Sequence, residues 1–450
     1  MKKASKLIFV TLSKRQCWGF FNRRNEALLW ELAKKESVER VLHIEFISLR
    51  QLLSHFKQWI VKKDLALKMA LQTQVKKGIS LKPLAASGNP GYYIFSLVEL
   101  YAGNSPYLRR ISDFFKAIQY KRINLLLEQS AGTVTLIAYP PFRALPESIK
   151  RIKHDILIAD VVDDDIEMTD DPEKKKEFLE NYKEVLPKCA WVFSTSGALT
   201  EKYGRYAKQE IHLLPNGVDV GEYPAADAVK YRKREGRKVV GYVGVINKAM
   251  DTEMLEHLLS RFTAVDFVLI GLYRADQLPT LKRLTESYGN FIYLGERNYR
   301  DVPGYLRSFD VLINFKKADY TTAGNDSMKI YQYLATGHPI VATPMSPAEQ
   351  FREVIYVAYD KYQFADHLAN ALKEDNPLLK VKRIEEAMKN SWAGRAEIIL
   401  KKVSGIAGKK KADLMYAEEE QRLKPADGLS GSSSMKAGNV SDISGRIVCL

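Results

Sequence analysis

The sequence has 450 residues, 46% of them hydrophobic, which is material for two or three globular cores. Lysine and arginine outnumber aspartate and glutamate 69 to 54, a formal charge of +15 that favours an anionic partner and says nothing of fold. Three scattered cysteines, Cys17, Cys189 and Cys449, exclude a disulfide framework and fit a reducing compartment, and no run of 18 apolar residues is present to cross a membrane.

In chain order, "KLIFVTL" (6–12) reads as a first strand, its apolar run too short for a signal peptide. "NEALLWELAKK" (25–35) is an amphipathic helix and "RVLHIEFI" (40–47) a second strand. Two segments, 54–78 and 107–127, interleave lysine and arginine with phenylalanine, tryptophan and tyrosine at helical spacing. Such faces suit an anionic membrane surface, so peripheral membrane contact is expected. "TVTLIAYP" (133–140), "DILIADVVD" (155–163) and "WVFSTS" (191–196) are further strands, with a helix before the last. The alternation predicts a parallel, doubly wound sheet. His43, His55 and His154 are scattered and read as structural.

The segment "ADVVDDDIEM" places Asp163, Asp164 and Asp165 just past a strand end. Adjacent carboxylates repel, which raises at least one pKa towards useful basicity. Asp164, then Asp163, are the candidate general bases, with Glu167 behind them. The competing reading is a turn, since aspartate is common where strands exit into loops.

A stretch rich in glycine, proline and charge (213–238) precedes a second run of alternating elements. "KVVGYVGVI" (238–246) is a strand ending in a glycine-containing turn at Gly244, followed by "TEMLEHLLSRF", "DFVLIG", "LPTLKRLTES", "NFIYLG", "VPGYLRSF" and "DVLINF". Next comes "NDSMKIYQYLATGHPIVAT" (325–343). Asp326 and Ser327 are good N-caps, Met328, Tyr331, Leu334 and Ala335 make an apolar face, and Gly337 is a natural stop. Lys329 stands in the first turn, where the helix dipole disfavours a cation. It is out of place unless an anion binds there, and a helix N-terminus with a lysine would grip a phosphate or diphosphate. Gln332, one turn on, could reach a hydroxylated group such as a ribose. "SWAGRAEIILKKVSGI" (391–406) is a terminal helix, and the polar, Ser/Gly-rich remainder from 409 to 450 is expected to be disordered.

These motifs, in order over roughly 155–400, resemble a GT-B glycosyltransferase. "LLPNGVDVGEY" is similar to that family's inter-domain segment, "VVGYVGVINKAMD" to its glycine turn, "FIYLGERNYRDVPGYLRSFDVLINF" to the run leading to the donor site, "MKIYQYLATGHPIVAT" to the donor helix, and "SW" at 391–392 to the start of a crossing helix. The two glutamates, eight residues apart, of the family-4 enzymes would fall on Gly324 and Gln332 and are absent. "SMKIYQY" instead resembles the xanthan-type glucuronosyltransferases in Ser327, Met328, Lys329 and Gln332.

The resemblance implies two Rossmann-like domains about a cleft: an acceptor domain (1–218), a nucleotide-sugar domain (219–390) and a crossing helix (391–408). It implies transfer of a sugar from a nucleoside diphosphate, expected to be UDP and with UDP-glucuronate as one donor, to a lipid-linked or saccharide acceptor in surface polysaccharide synthesis. Lys329 and Gly244 would meet the diphosphate, Gln332 the ribose and Glu296 the nucleotide. Lys248 or Arg297 could face a sugar carboxylate. Inversion, an aspartate base in the first domain and no metal cofactor are expected, with the enzyme on the cytoplasmic face of the plasma membrane. Alternatives are a retaining family-4-type enzyme on a donor such as a GDP-sugar, a donor-binding but inactive paralogue, and a basic nucleic-acid-binding protein. No nucleic-acid signature supports the last.

Overall fold

The computed structural model describes residues 6–13, 24–48, 84–86, 89–99, 106–142, 144–223, 230–317, 324–345 and 347–423. The amphipathic segment expected at 54–78, together with Cys17, His55 and Cys449, lies outside the described residues.

Fourteen strands are described: β1 Leu7–Ser13, β2 Val38–Ser48, β3 Leu84–Ala86, β4 Asn89–Glu99, β5 Thr133–Ala138, β6 Ile156–Val161, β7 Trp191–Ser194, β8 Ile211–Leu213, β9 Lys238–Val243, β10 Val265–Ile270, β11 Phe291–Tyr293, β12 Val311–Asn314, β13 Ile340–Ala342 and β14 Tyr356–Val357. They form two sheets, one of order β3-β4-β2-β1-β5-β6-β7-β8 and one of order β11-β10-β9-β12-β13-β14. All neighbours are parallel except β3 with β4. Each sheet winds outward from its first strand in both directions, the doubly wound arrangement the alternation predicts. The central strands are apolar without alternation because helices cover both faces. In β1, Ile8, Phe9, Val10 and Leu12 are all fully buried.

Short polar caps set where the helices begin. Asp171 accepts from the Glu173 and Lys174 amides ahead of Pro172–Val185, Ser196 from the Leu199 amide ahead of Gly197–Gly204, and Asp251 from the Met254 amide ahead of Thr252–Arg261. His43 is buried with its Nδ1 2.8 Å from the Tyr92 hydroxyl, and Nδ1 of His154 lies 2.7 Å from the Ile152 carbonyl, so both are structural.

The terminal helix returns to the first sheet. It starts at a bridge between Val218 and Ser391, buries Trp392, pairs Glu397 with Lys35 at 2.8 Å and lays the Lys402 ammonium 4.1 Å from the centre of the Trp191 ring. Its helical span is Trp392–Leu423, so residues 409–423 are helical where the composition suggested disorder. Lys, Glu, Ala and Leu, frequent in this stretch, are strong helix formers. The compact unit holding both sheets ends at Ile406.

Candidate donor and acceptor site

The carboxyl ends of β9 and β12, on either side of the point where the strand order reverses, frame one crevice. This is where ligands bind in open α/β sheets. β9 ends at Val243 and turns at Gly244, whose amide donates to the Ile270 carbonyl at 2.9 Å. A Cβ on Gly244 would lie 1.9 Å from Lys329 Cε, and one on Gly271 would lie 2.0 Å from the Gly244 carbonyl oxygen. Both glycines are therefore space-makers: Gly271 admits the β9 turn, and Gly244 admits the lysine.

Lys329 occupies the first turn of the helix Met328–Thr336. Its ammonium lies 5.5 Å from the centre of the Tyr242 ring. Burial, together with the positive charge of Lys316 at the end of β12, pushes its pKa down to about 7. Ser327 is the N-cap, with extended backbone but no side-chain capping bond. Its hydroxyl is buried without a hydrogen-bond partner. A lysine whose charged form is disfavoured, an uncapped helix end and an orphaned hydroxyl thus meet at a glycine turn. Each of these costs the free protein something, and each is relieved by one anion.

Asp326, read from sequence as a cap, does different work. Its carboxylate accepts from the Asn216 amide at 2.5 Å and from the Tyr331 hydroxyl at 3.0 Å, while its carbonyl accepts from Asn216 Nδ2 at 2.7 Å. Asn216 lies in the segment joining the two sheets, so Asp326 ties that joint to the helix carrying Lys329. Around it, Arg24 donates to both carboxylate oxygens of Asp160 at 2.8 and 2.9 Å and to the Pro215 carbonyl at 3.0 Å, and Arg395 donates to the same carbonyl at 3.1 Å. Burial raises the Asp326 pKa to about 6, against the pull of these hydrogen bonds and of both arginines. Periodicity does not show this network, because its members are 24, 160, 216, 326 and 395.

The acidic cluster faces the lead-in to the same helix. A Cβ on Gly324 would lie 3.5 Å from Asp164 Cβ, and the Ser196 hydroxyl donates to the Gly324 carbonyl at 2.7 Å. Asp164 itself is only 7% exposed and ion-paired: Lys202 Nζ donates to its oxygens at 2.8 and 3.1 Å, and the Tyr203 hydroxyl at 2.9 Å. Lys202 also holds Glu167 at 2.8 Å. Of the three adjacent carboxylates Asp164 is thus neutralised by an ammonium that it shares with Glu167. Asp163 and Asp165 are half-buried beside it.

The remaining donor candidates are spread along the crevice's second-domain wall. Gln332 Nε2 lies 3.5 Å from the Tyr299 hydroxyl, which donates to Glu222 at 2.8 Å. Met328 is half-buried and Glu296 exposed. Arg297 folds back on its own loop, donating to the Tyr305 hydroxyl at 3.1 Å and the Glu296 carbonyl at 2.9 Å. Lys248 is exposed and 3.5 Å from Asp170 of the first domain. Among the described residues no group of three or more His, Cys, Asp or Glu side chains could hold a metal ion.

The fold is of the GT-B type: two doubly wound sheets and a terminal helix that returns to the first. Residues 237–374 match the family model for glycosyl transferases group 1. The chain is similar, at 22% identity over 156 residues, to the protein of Bacillus subtilis (strain 168) provisionally named the teichuronic acid biosynthesis glycosyltransferase TuaH; the match covers 34% of this chain and 39% of that relative's length. In fold it is similar to Anabaena HepE, solved in complex with UDP and glucose, with a TM-score of 0.60 and 14% identity over 89% of this chain and 99% of that one. It is likewise similar to the sucrose-phosphate synthase of Thermosynechococcus elongatus, with a TM-score of 0.61 and 12% identity over 92% of this chain and 100% of that one. Family match, relative and fold neighbours together support a glycosyltransferase.

Proposed function

We propose that this chain transfers a sugar from a UDP-sugar to a hydroxyl of a saccharide or lipid-linked acceptor, in the synthesis of a surface polysaccharide. The observation that carries the reading is Lys329, half-buried at an uncapped helix end against a glycine turn. The diphosphate would take the Lys329 ammonium, the Ser327 hydroxyl and the first free amides of the helix, and Gln332 would take the ribose. As the glycosidic C–O bond breaks, negative charge develops on the diphosphate oxygen, where these donors already point. Lys329 and the helix end neutralise that leaving group in this reading, so no metal is assigned to the step. HepE, bound to UDP and glucose, supports uracil as the base, and TuaH, named for teichuronic acid biosynthesis, supports a polysaccharide product.

An inverting transfer needs a base to take the proton of the attacking hydroxyl. The adjacent pair Asp163 and Asp164 supplies the candidates, with Asp164 held in place by Lys202 and Tyr203. Asp163→Asn and Asp164→Asn decide between them: the base loses turnover, and a carboxylate that only holds the loop loses stability. The test is turnover of a panel of UDP-sugars, UDP-glucuronate included, with an extracted lipid-linked acceptor, reading the product's anomeric configuration by NMR. An inverted product from one UDP-sugar is expected. A retained configuration would remove the base from the mechanism, and turnover only with a GDP-sugar would overturn the donor assignment.

A further inference from the structure

The helix Pro106–Glu128 carries two opposite faces. One packs on the first sheet through Ser112, Gln119, Tyr120, Ile123 and Leu127, all buried. The other exposes Tyr107 (73%), Ile111, Phe114 (69%), Ile118 and Leu125. These recur at spacings of four, three, four and seven, so at 100° per residue they share an arc of about 60°, facing away from the core. A lone exposed apolar residue is ordinary, but five in one stripe on a single helix mark an interaction surface.

We propose that this stripe is a membrane-docking surface for anionic lipid. Charge selects that occupant over a second copy of the chain. Arg110 and Lys121 flank the stripe on one side and Arg122 on the other, and the helix carries five cations against Asp113 and Glu128. A second identical helix would bring the same cations into contact, whereas lipid phosphates neutralise them. Aromatic side chains beside cations suit the headgroup boundary, where an apolar ring and a charged tip are both satisfied. Topology gives the consequence. The helix follows β4, whose carboxyl end lies at the cleft side of the sheet, so Tyr107, Ile111 and Phe114 sit at the helix end nearer the cleft. A bilayer resting there would present a membrane-borne acceptor to the first domain.

The experiment is co-sedimentation of the full chain with phosphatidylcholine vesicles, with and without phosphatidylglycerol. The variants are Tyr107→Ser/Phe114→Ser and, separately, Arg110→Glu/Lys121→Glu. Circular dichroism and UDP-induced thermal shift report that each variant is folded. Each cation near an anionic surface is worth about fivefold in partitioning, so Arg110→Glu/Lys121→Glu should lose about 25-fold or more, and Tyr107→Ser/Phe114→Ser, which removes apolar anchors, about tenfold or more, with binding strongly dependent on phosphatidylglycerol. Equal vesicle binding by wild type and both folded variants overturns the proposal. So does a chain that light scattering shows to be a dimer, made monomeric by the aromatic substitutions. The UDP readout is independent of this surface, so loss of the donor-site reading would leave the vesicle result standing.

Discussion

The two halves of the crevice reach their chemistry by opposite routes. On the second-domain side, the groups that matter are left under-satisfied: the charged form of Lys329 is disfavoured, Ser327 has no partner, and the helix end is uncapped. On the first-domain side, the conspicuous carboxylate is saturated, with Asp164 held by Lys202 and Tyr203. The contrast teaches how to read a cluster of titratable groups. An unmet electrostatic demand points to a ligand, and a met one points to architecture.

The sharpest break of this comparison is Asp163→Asn against Asp164→Asn. If Asp163 is the base, its amide variant loses about 10²–10⁴-fold in kcat with nucleotide binding intact. Asp164→Asn should instead weaken the loop, showing as lowered thermal stability with a smaller kinetic loss. Reversed magnitudes in steady-state kinetics would return the base to Asp164.

Next in size is the joint. Asp326→Ala strips the acceptor from the Asn216 amide and the Tyr331 hydroxyl, leaving each buried donor unpaired at about 1–3 kcal/mol. Asp326→Asn keeps an acceptor oxygen and should cost less; urea denaturation of the two side by side measures the difference. Gly244→Ala comes third. Its methyl would meet the end of the Lys329 side chain and would sit at φ +158°, which L residues rarely adopt, so both the lysine and the turn are strained. Nucleotide affinity should drop about tenfold, the loss of one charge-assisted contact, beside a stability loss of about 1–3 kcal/mol from the strained turn. A large stability loss with unchanged affinity would mean the turn serves the fold alone.

The smallest effect is a pH slope. Lys329 titrates near 7 in the free protein against about 10.4 in an unfolded chain. Between those values the unfolded state binds the extra proton, so the residue's penalty is full below pH 7 and stability rises as pH climbs above it. A bound diphosphate favours the charged form, so binding takes up a proton there. UDP affinity should fall, by up to about tenfold per unit, as pH rises above 7. Calorimetry in buffers of different ionisation enthalpy reads the proton uptake directly, and Lys329→Met should abolish it.

Much of this was legible in the chain because local patterns decide it. The apolar runs of β1, β5, β6 and β9, the Asp–Ser start and Gly337 stop of the donor helix, and the misplaced Lys329 are all near-neighbour signals. What escaped depends on distance. β4 opens on Asn-Pro-Gly, which reads as a turn although "YYIFSLVE" continues as a buried strand against β2. The saturation of Asp164 rests on a lysine 38 residues away, and the Arg24–Asp160–Asn216–Asp326 joint spans most of the chain. The helices Lys361–Lys373 and Pro377–Lys389 and the short strands β8 and β14 also passed unread, the strands because two or three residues carry no periodicity.

The central claim is that Lys329 is held at a cost for the sake of a diphosphate. The most direct measurement is a thermal-shift titration of UDP, GDP, ADP and dTDP against wild type and Lys329→Ala. The account predicts that UDP stabilises the wild type, by about 2.7 kcal/mol at a hundredfold excess over its dissociation constant, and that the variant responds far less. An equal response from both proteins, or none from the wild type to any nucleotide, would contradict it.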